Sequence, residues 1–212
     1  MKTQILDAAQ RRFEQYGLLK VTMDEIAQDI GMGKASLYYY FPTKEALFKS
    51  VLSREHEGLL DRVTALVEDP APVSEKLHRY VSLRLEHFFH LINLQVLELQ
   101  ISAKLRPVLR ATFDEFAKRE SKLLEAMIRE GKADGELSVG SPESVAAAFL
   151  HVMQGLRLRL VRDATTHRWD PDALGDVRKE FALIAEILIR GMCTPCDNKG
   201  VRRHRHNRIR ST

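Results

Sequence analysis

Between positions 34 and 44 the chain reads KASLYYYFPTK, gathering two ammonium groups, the hydroxyls of Ser36 and Thr43, and three adjacent phenols. In a helix successive side chains point about 100° apart, so Tyr38, Tyr39 and Tyr40 cannot share one buried face and at least one must look outward. Leu37 is the natural core contact, opposite Ile26 and Ile30, which leaves Lys34, Ser36, Tyr39 and Tyr40 on the solvent side. An exposed helix face of hydroxyls and ammonium groups suits phosphate oxygens and base edges in a major groove. The competing reading is packing, because tyrosines often bury the ring and leave only the hydroxyl wet.

Two other groups of residues could do chemistry. Cys193-x-x-Cys196 followed by His204-x-His206 supplies four zinc-type ligands, but His-x-His is not the usual finger spacing. No strand–helix context of a thioredoxin motif surrounds the cysteines either, so the plainer reading of 193–212 is a disordered basic extension, and no metal or other cofactor is expected. Phe88, Phe89, Phe113, Phe116, Met127, Phe149 and Met153 could line an apolar cavity with His87, His151 or Gln154 as polar anchors. The alternative is ordinary core. Nothing resembles a nucleophile elbow, a phosphate loop or a His/Glu metal pair on one helix, so enzymatic activity is not expected.

The overall basic balance does not by itself point to DNA. Residues 1–58 carry eight basic and eight acidic side chains, 59–192 carry nineteen and twenty, and 193–212 carry six and one. The excess positive charge therefore lies in the last twenty residues. No run approaches 18 apolar residues and the amino terminus lacks the apolar core of an export signal, so a cytoplasmic protein without membrane contact is expected.

The elements that must hold these residues read as helical throughout. A first helix is predicted over 3–16, with Ile5, Ala9, Phe13 and Tyr16 inward and Gly17 as its stop. A second starts at Thr22, where Thr-x-x-Glu forms a capping box with Glu25, buries Met23, Ile26, Ala27 and Ile30, and ends at Gly31. A third runs from Gly33 or Lys34 to Phe41, before Pro42, and Thr43 caps a fourth with Leu47, Phe48, Val51 and Leu52 inward. Two short helices joined by a glycine turn form a helix-turn-helix unit. Five more helices are predicted near 74–92, 94–103, 107–131, 142–164 and 171–191, giving an all-α fold of about nine helices. The expected domains are 1–58 for the helix-turn-helix, 59–192 for a larger helical domain, and the tail 193–212.

The segment TMDEIAQDIGMGKASLYYYFPTKEALF, with ILDAAQRRFEQYG before it, strongly resembles the DNA-binding region of TetR-family bacterial transcriptional regulators over about residues 3–55. The resemblance implies that the helix from Gly33 to Tyr40 reads the major groove. It makes Thr22, Gly33, Lys34, Ala35, Ser36, Tyr38, Tyr39, Tyr40 and Lys44 candidate contacts, Tyr38 and Lys44 toward phosphate, Lys34 and Tyr39 toward bases. Two positions depart from the family pattern. Gly33 stands where Ser or Thr commonly caps the reading helix, and Asp24 places a carboxylate where phosphate would repel it, leaving a cytosine amine or an orientation away from DNA.

In FALIAEILIRGM, residues Phe181, Leu183, Ile184, Ile187, Leu188 and Ile189 cover well over half the helix circumference, too wide for one packing partner. Small residues on the preceding helix, Ala147 and Gly155 among them, permit close approach. The pair is expected to pack against its own copy, with Ala147, Gly155, Ile184, Ile187 and Leu188 in the dimer interface, the alternative being burial of both faces within one chain. A dimer with reading helices about 34 to 36 Å apart fits a near-palindrome in double-stranded DNA. The family resemblance implies a repressor released by a small-molecule inducer; the alternative is a ligand-independent DNA-binding or partner-binding protein of the same fold.

Overall fold

Capping chemistry sets where the first helices stop. The computed structural model describes residues 1–100, 106–166 and 171–194, with side chains described at 1–88, 110–156 and 178–194. Helix α1 (Lys2–Tyr16) ends where the Gly17 N–H donates to Phe13 O. Helix α2 (Met23–Asp29) ends in a Schellman arrangement: Met32 N donates to Ala27 O at 2.8 Å and Gly31 N to Gln28 O at 3.1 Å. Gly31 takes φ 63 there, a conformation that costs a side chain-bearing residue but not glycine. Helix α3 (Lys34–Tyr40) stops before Pro42, and α4 (Lys44–Glu68) starts at Thr43, whose hydroxyl accepts from Ala46 N at 3.0 Å.

Four longer helices follow: α5 (Val73–Gln100), α6 (Arg106–Ala133), α7 (Pro142–Thr166) and α8 (Pro171–Met192). Among the described residues eight helices stand where nine are expected, because 74–92 and 94–103 are not separate helices, α5 running unbroken to Gln100. Neither Pro nor Gly stands at 92–94, and Asn93 costs a helix interior well under 1 kcal/mol. Helix α5 also starts one residue before Ser74, and its Val73 N–H is capped from outside the helix by Glu136 Oε2 at 2.7 Å. Among the described residues there is no named strand, only an isolated bridge between Leu137 and Cys193. Ser138 N to Met192 O and Thr194 N to Glu136 O, both 2.8 Å, tie the end of α8 to the loop after α6. Cys193 and Thr194 are therefore part of the fold rather than of a free extension, and 195–212 lie outside the described residues.

Two hydrophobic cores share helix α4. The first half of α4 supplies Leu47, Phe48, Val51 and Leu52 to a cluster with Ile5, Ala9, Phe13, Ile26, Ala27 and Leu37, in which the Phe13 and Phe48 rings meet edge-on at 5.4 Å. Its second half supplies Leu59, Val63 and Leu66 to the larger cluster built by α5 to α8. The expectation that Tyr16 faces inward is corrected: it is exposed, with the Arg12 guanidinium 5.6 Å over its ring. One turn beyond Phe13 the α1 stripe has run past α4, and the cation covers the phenol instead. Phe113 of α6 packs against the smaller core, and Arg119 makes a bidentate pair with Glu57 at 2.5 and 2.8 Å, so α6 braces α4 beside the junction.

Candidate nucleic-acid interface

The interface is built on α2, its turn and α3. Thr22 Oγ1 accepts from Glu25 N at 3.3 Å while Glu25 Oε2 accepts from Thr22 N at 2.8 Å, so the expected capping box is formed. Glu25 Oε2 also accepts from the Thr22 hydroxyl at 2.8 Å, committing both donors of Thr22 to the cap. Those hydrogen bonds hold the Glu25 carboxyl below its ordinary 4.5. From α1, Arg12 grips Asp29 at 2.6 and 2.7 Å and thereby locks α2 against α1; this pairing holds the Asp29 carboxyl below its ordinary 3.8.

Helix α3 is anchored by one side chain. Leu37 is 0% exposed, and every other residue of the helix is exposed: Lys34, Ala35, Ser36 and the three tyrosines. Tyr39 stands 85% exposed, its ring edge-to-face with Tyr40 at 5.6 Å, while Tyr38 and Tyr40 are each 40% exposed. Gly33 precedes the helix with no side-chain cap. The outward face is thus phenols, a hydroxyl and an ammonium held in fixed register by a buried leucine. At the foot of α4, Lys44 Nζ donates to Val21 O at 2.8 Å, linking the start of α4 to the loop before α2 and retaining two further donors. Sequence reasoning missed this bond and also the exposed pair between Lys34 Nζ and Asp24 Oδ2 at 2.8 Å, which raises the Lys34 ammonium above its ordinary 10.5. The only earlier signal was that two opposite charges sit in the first turns of consecutive short helices.

The larger domain holds a second candidate site. Residues of α4 to α8 surround a cavity of about 60 Å³ lined by His56, Arg84, His87, Phe88, Phe113, Phe116, Ala117, Glu120, Met153, Gln154 and Phe181. Six of the ten expected residues are there. Met127 and Phe149 are corrected to plain core, fully packed in the larger cluster, with Phe149 tilted against Tyr80 at 6.2 Å. His151 is exposed, because it falls on the outer side of α7 from Phe149 and Met153. Phe89 lies outside the described side chains. The missed lining is Ala117 and Phe181 together with three polar side chains: Glu120 accepts from the Tyr80 hydroxyl at 2.7 Å and pairs with Arg84 at 3.0 Å, and the His56 ring lies 5.1 Å from those of His87, Phe113 and Phe116. Burial, with the Glu120 charge beside it, pushes the Tyr80 phenol well above its ordinary 10.0.

Helix α8 turns Phe181, Ala185 and Ile189 inward and leaves Leu183 and Ile187 each 61% exposed, with Ile184 and Leu188 half-buried between. On α7, Ala147 is half-buried and Gly155 is exposed with open space around it. No helix among the described residues is long and apolar enough to cross a membrane.

A family model described as bacterial regulatory proteins, tetR family, matches residues 5–51. The HTH-type transcriptional regulator RutR of Escherichia coli (strain K12) is 39% identical over 85 residues, a stretch that spans 40% of this chain and 40% of RutR. YhgD of Bacillus subtilis (strain 168), also named an HTH-type transcriptional regulator, is 28% identical over 152 residues, 70% of this chain and 78% of its own. Among solved structures, a transcriptional regulator from Cytophaga hutchinsonii superposes with a TM-score of 0.81 and 34% identity over 90% of this chain and 97% of that one. The regulator FadR from Bacillus subtilis, in complex with stearoyl-CoA, shares the fold at a TM-score of 0.68 and 21% identity, over 91% of this chain and all of that one.

Proposed function

This chain belongs to the TetR family of bacterial regulatory proteins and is a transcription regulator with an amino-terminal DNA-binding domain, and from that premise we propose that it acts as a homodimeric repressor released from a palindromic operator by a small molecule. The observation that carries the reading is α3 itself: a helix held by Leu37 alone, with its remaining side chains offered outward. Lys34, Ala35, Ser36, Tyr39 and Tyr40 face the bases, Tyr38 and Lys44 meet the backbone, and Thr22, both of its donors already held by Glu25, positions the start of α2 rather than donating to phosphate. Gly33 lets the chain approach closely. Two copies joined through α7 and α8, with Ala147, Gly155, Ile184, Ile187 and Leu188 in the seam, present two such helices to one side of the duplex.

The inducer site is the cavity beside His56. It lies against the middle of α4, between the part of that helix in the smaller core and the part in the larger one, so a ligand that repacks it also moves the reading head. A coupling of about 1 to 3 kcal/mol corresponds to roughly 5- to 150-fold in operator affinity. The solved complex of FadR with stearoyl-CoA supports an effector role for this fold, while the small volume among the described residues favours the second reading, a regulator of the same fold without a small ligand. Selection of bound sites from a random DNA pool, repeated with metabolite mixtures, separates the two. Enrichment of a near-palindrome that a metabolite fraction abolishes is the expected result, and failure to enrich any sequence defeats the proposal.

A further inference from the structure

The Asp24–Lys34 pair is exposed on both sides, 49% and 61%, and such pairs contribute little to stability. Its place matters more. Lys34 is the one cation of α3, and Asp24 is the carboxylate that the reading face would be expected to avoid. Held 2.8 Å apart, the two present an ammonium donor beside a carboxylate acceptor with no net charge. In the major groove a G·C pair presents the opposite pattern: acceptors N7 and O6 on guanine beside the N4 donor on cytosine. O6 and N4 are hydrogen-bonded to each other, so they too lie about 2.9 Å apart.

We propose that Asp24 and Lys34 act as one specificity unit that reads a single G·C base pair in each half-site, Lys34 donating to guanine O6 and N7 while Asp24 accepts from cytosine N4. The proposal rests on the DNA-binding reading above and assigns it a base. An ammonium has three donors, and the bond to Asp24 uses one. The carboxylate keeps Oδ1 for the cytosine amine. An A·T pair also has two acceptors, adenine N7 and thymine O4, but they lie on either side of the N6 donor; with Asp24 on N6 the lysine reaches only one of them, and so the pair fits less well. The same neutrality means that the pair adds no net attraction for phosphates, so it favours the right sequence without strengthening binding to all the others.

The full-length protein and its Asp24→Asn and Lys34→Gln variants are each taken through selection from a random DNA pool, and their affinity for one fixed random duplex is followed against salt. Both variants should lose preference at the same G·C position, by about fivefold or more. Asp24→Asn should also bind the random duplex more tightly, with a salt slope steeper by about 0.9 per head, because Lys34 is then an uncompensated cation. Retained preference at every position in either variant, or an unchanged salt slope in Asp24→Asn, overturns the proposal. A wild-type protein that selects no sequence removes the regulatory reading itself, an outcome distinguishable from the others because it precedes any variant.

Discussion

At the scale of single residues, Tyr39 and Lys44 illustrate two kinds of contact. Tyr39 stands almost free of the protein, so replacing it removes nothing from the core. Tyr39→Ala should therefore change which sequences are enriched while the thermal midpoint stays within about 0.5 kcal/mol of wild type in stability terms. Lys44 differs, because its ammonium already holds Val21 O while its other donors remain available. Lys44→Ala should weaken binding to every duplex alike and flatten the salt slope by about one unit per head, measured by titration at several ionic strengths. An unchanged slope would mean that Lys44 only braces the loop before α2.

At the scale of the element, α2 has seven residues and lacks the length to hold itself, so its ends carry it. Thr22→Ala removes the reciprocal cap and should cost about 1 kcal/mol, visible in chemical denaturation. The other support is charge. Glu25 and Asp29 both have carboxyls held below their ordinary 4.5 and 3.8 in the folded state. Groups with lowered folded values stabilise fully above their unfolded values and lose that contribution as pH falls through the folded ones. Acid should thus weaken the Thr22–Glu25 cap from about pH 4.5 downward and the Arg12–Asp29 contact between α1 and α2 from about pH 3.8 downward. Asp29→Asn should make the fall of the thermal midpoint with pH below about 3.8 less steep than in wild type, and an equally steep profile would show that the Arg12 clamp does not matter.

At the scale of the whole molecule, α4 contributes fully buried side chains to both core clusters, and α6, which belongs to the larger one, reaches the smaller through Phe113 and holds α4 through Arg119. On the proposed function, such a strut would carry whatever the larger cluster binds or packs against to α2 and α3. On α8, Leu183 and Ile187 are exposed apolar side chains, and Ile187 lies in the proposed dimer seam. Ile187→Glu places a charge where a symmetric copy would bury it; the expected outcome in sedimentation is a monomer of normal helicity whose affinity for a two-half-site duplex falls to that for one half-site. A dimer that persists unchanged would move the interface elsewhere.

Local order in this chain was legible from the residues alone: the Thr22–Glu25 cap, the stop at Gly31, the buried Leu37 and the outward Tyr39 and Tyr40 follow from short spacings in helical geometry, whereas the exposure of Tyr16 did not. The boundary at 92–94 was not, since a lone Asn neither breaks nor secures a helix. What only the tertiary structure decided were the meetings between distant segments. Asp24 finds Lys34, Lys44 finds Val21, and His56, Arg84 and Glu120 converge on one cavity while Met127 and Phe149 turn into the core. Periodicity tells which way a side chain faces from its own helix. Which neighbour it meets depends on how helices cross, and that is set by the packing of all of them at once.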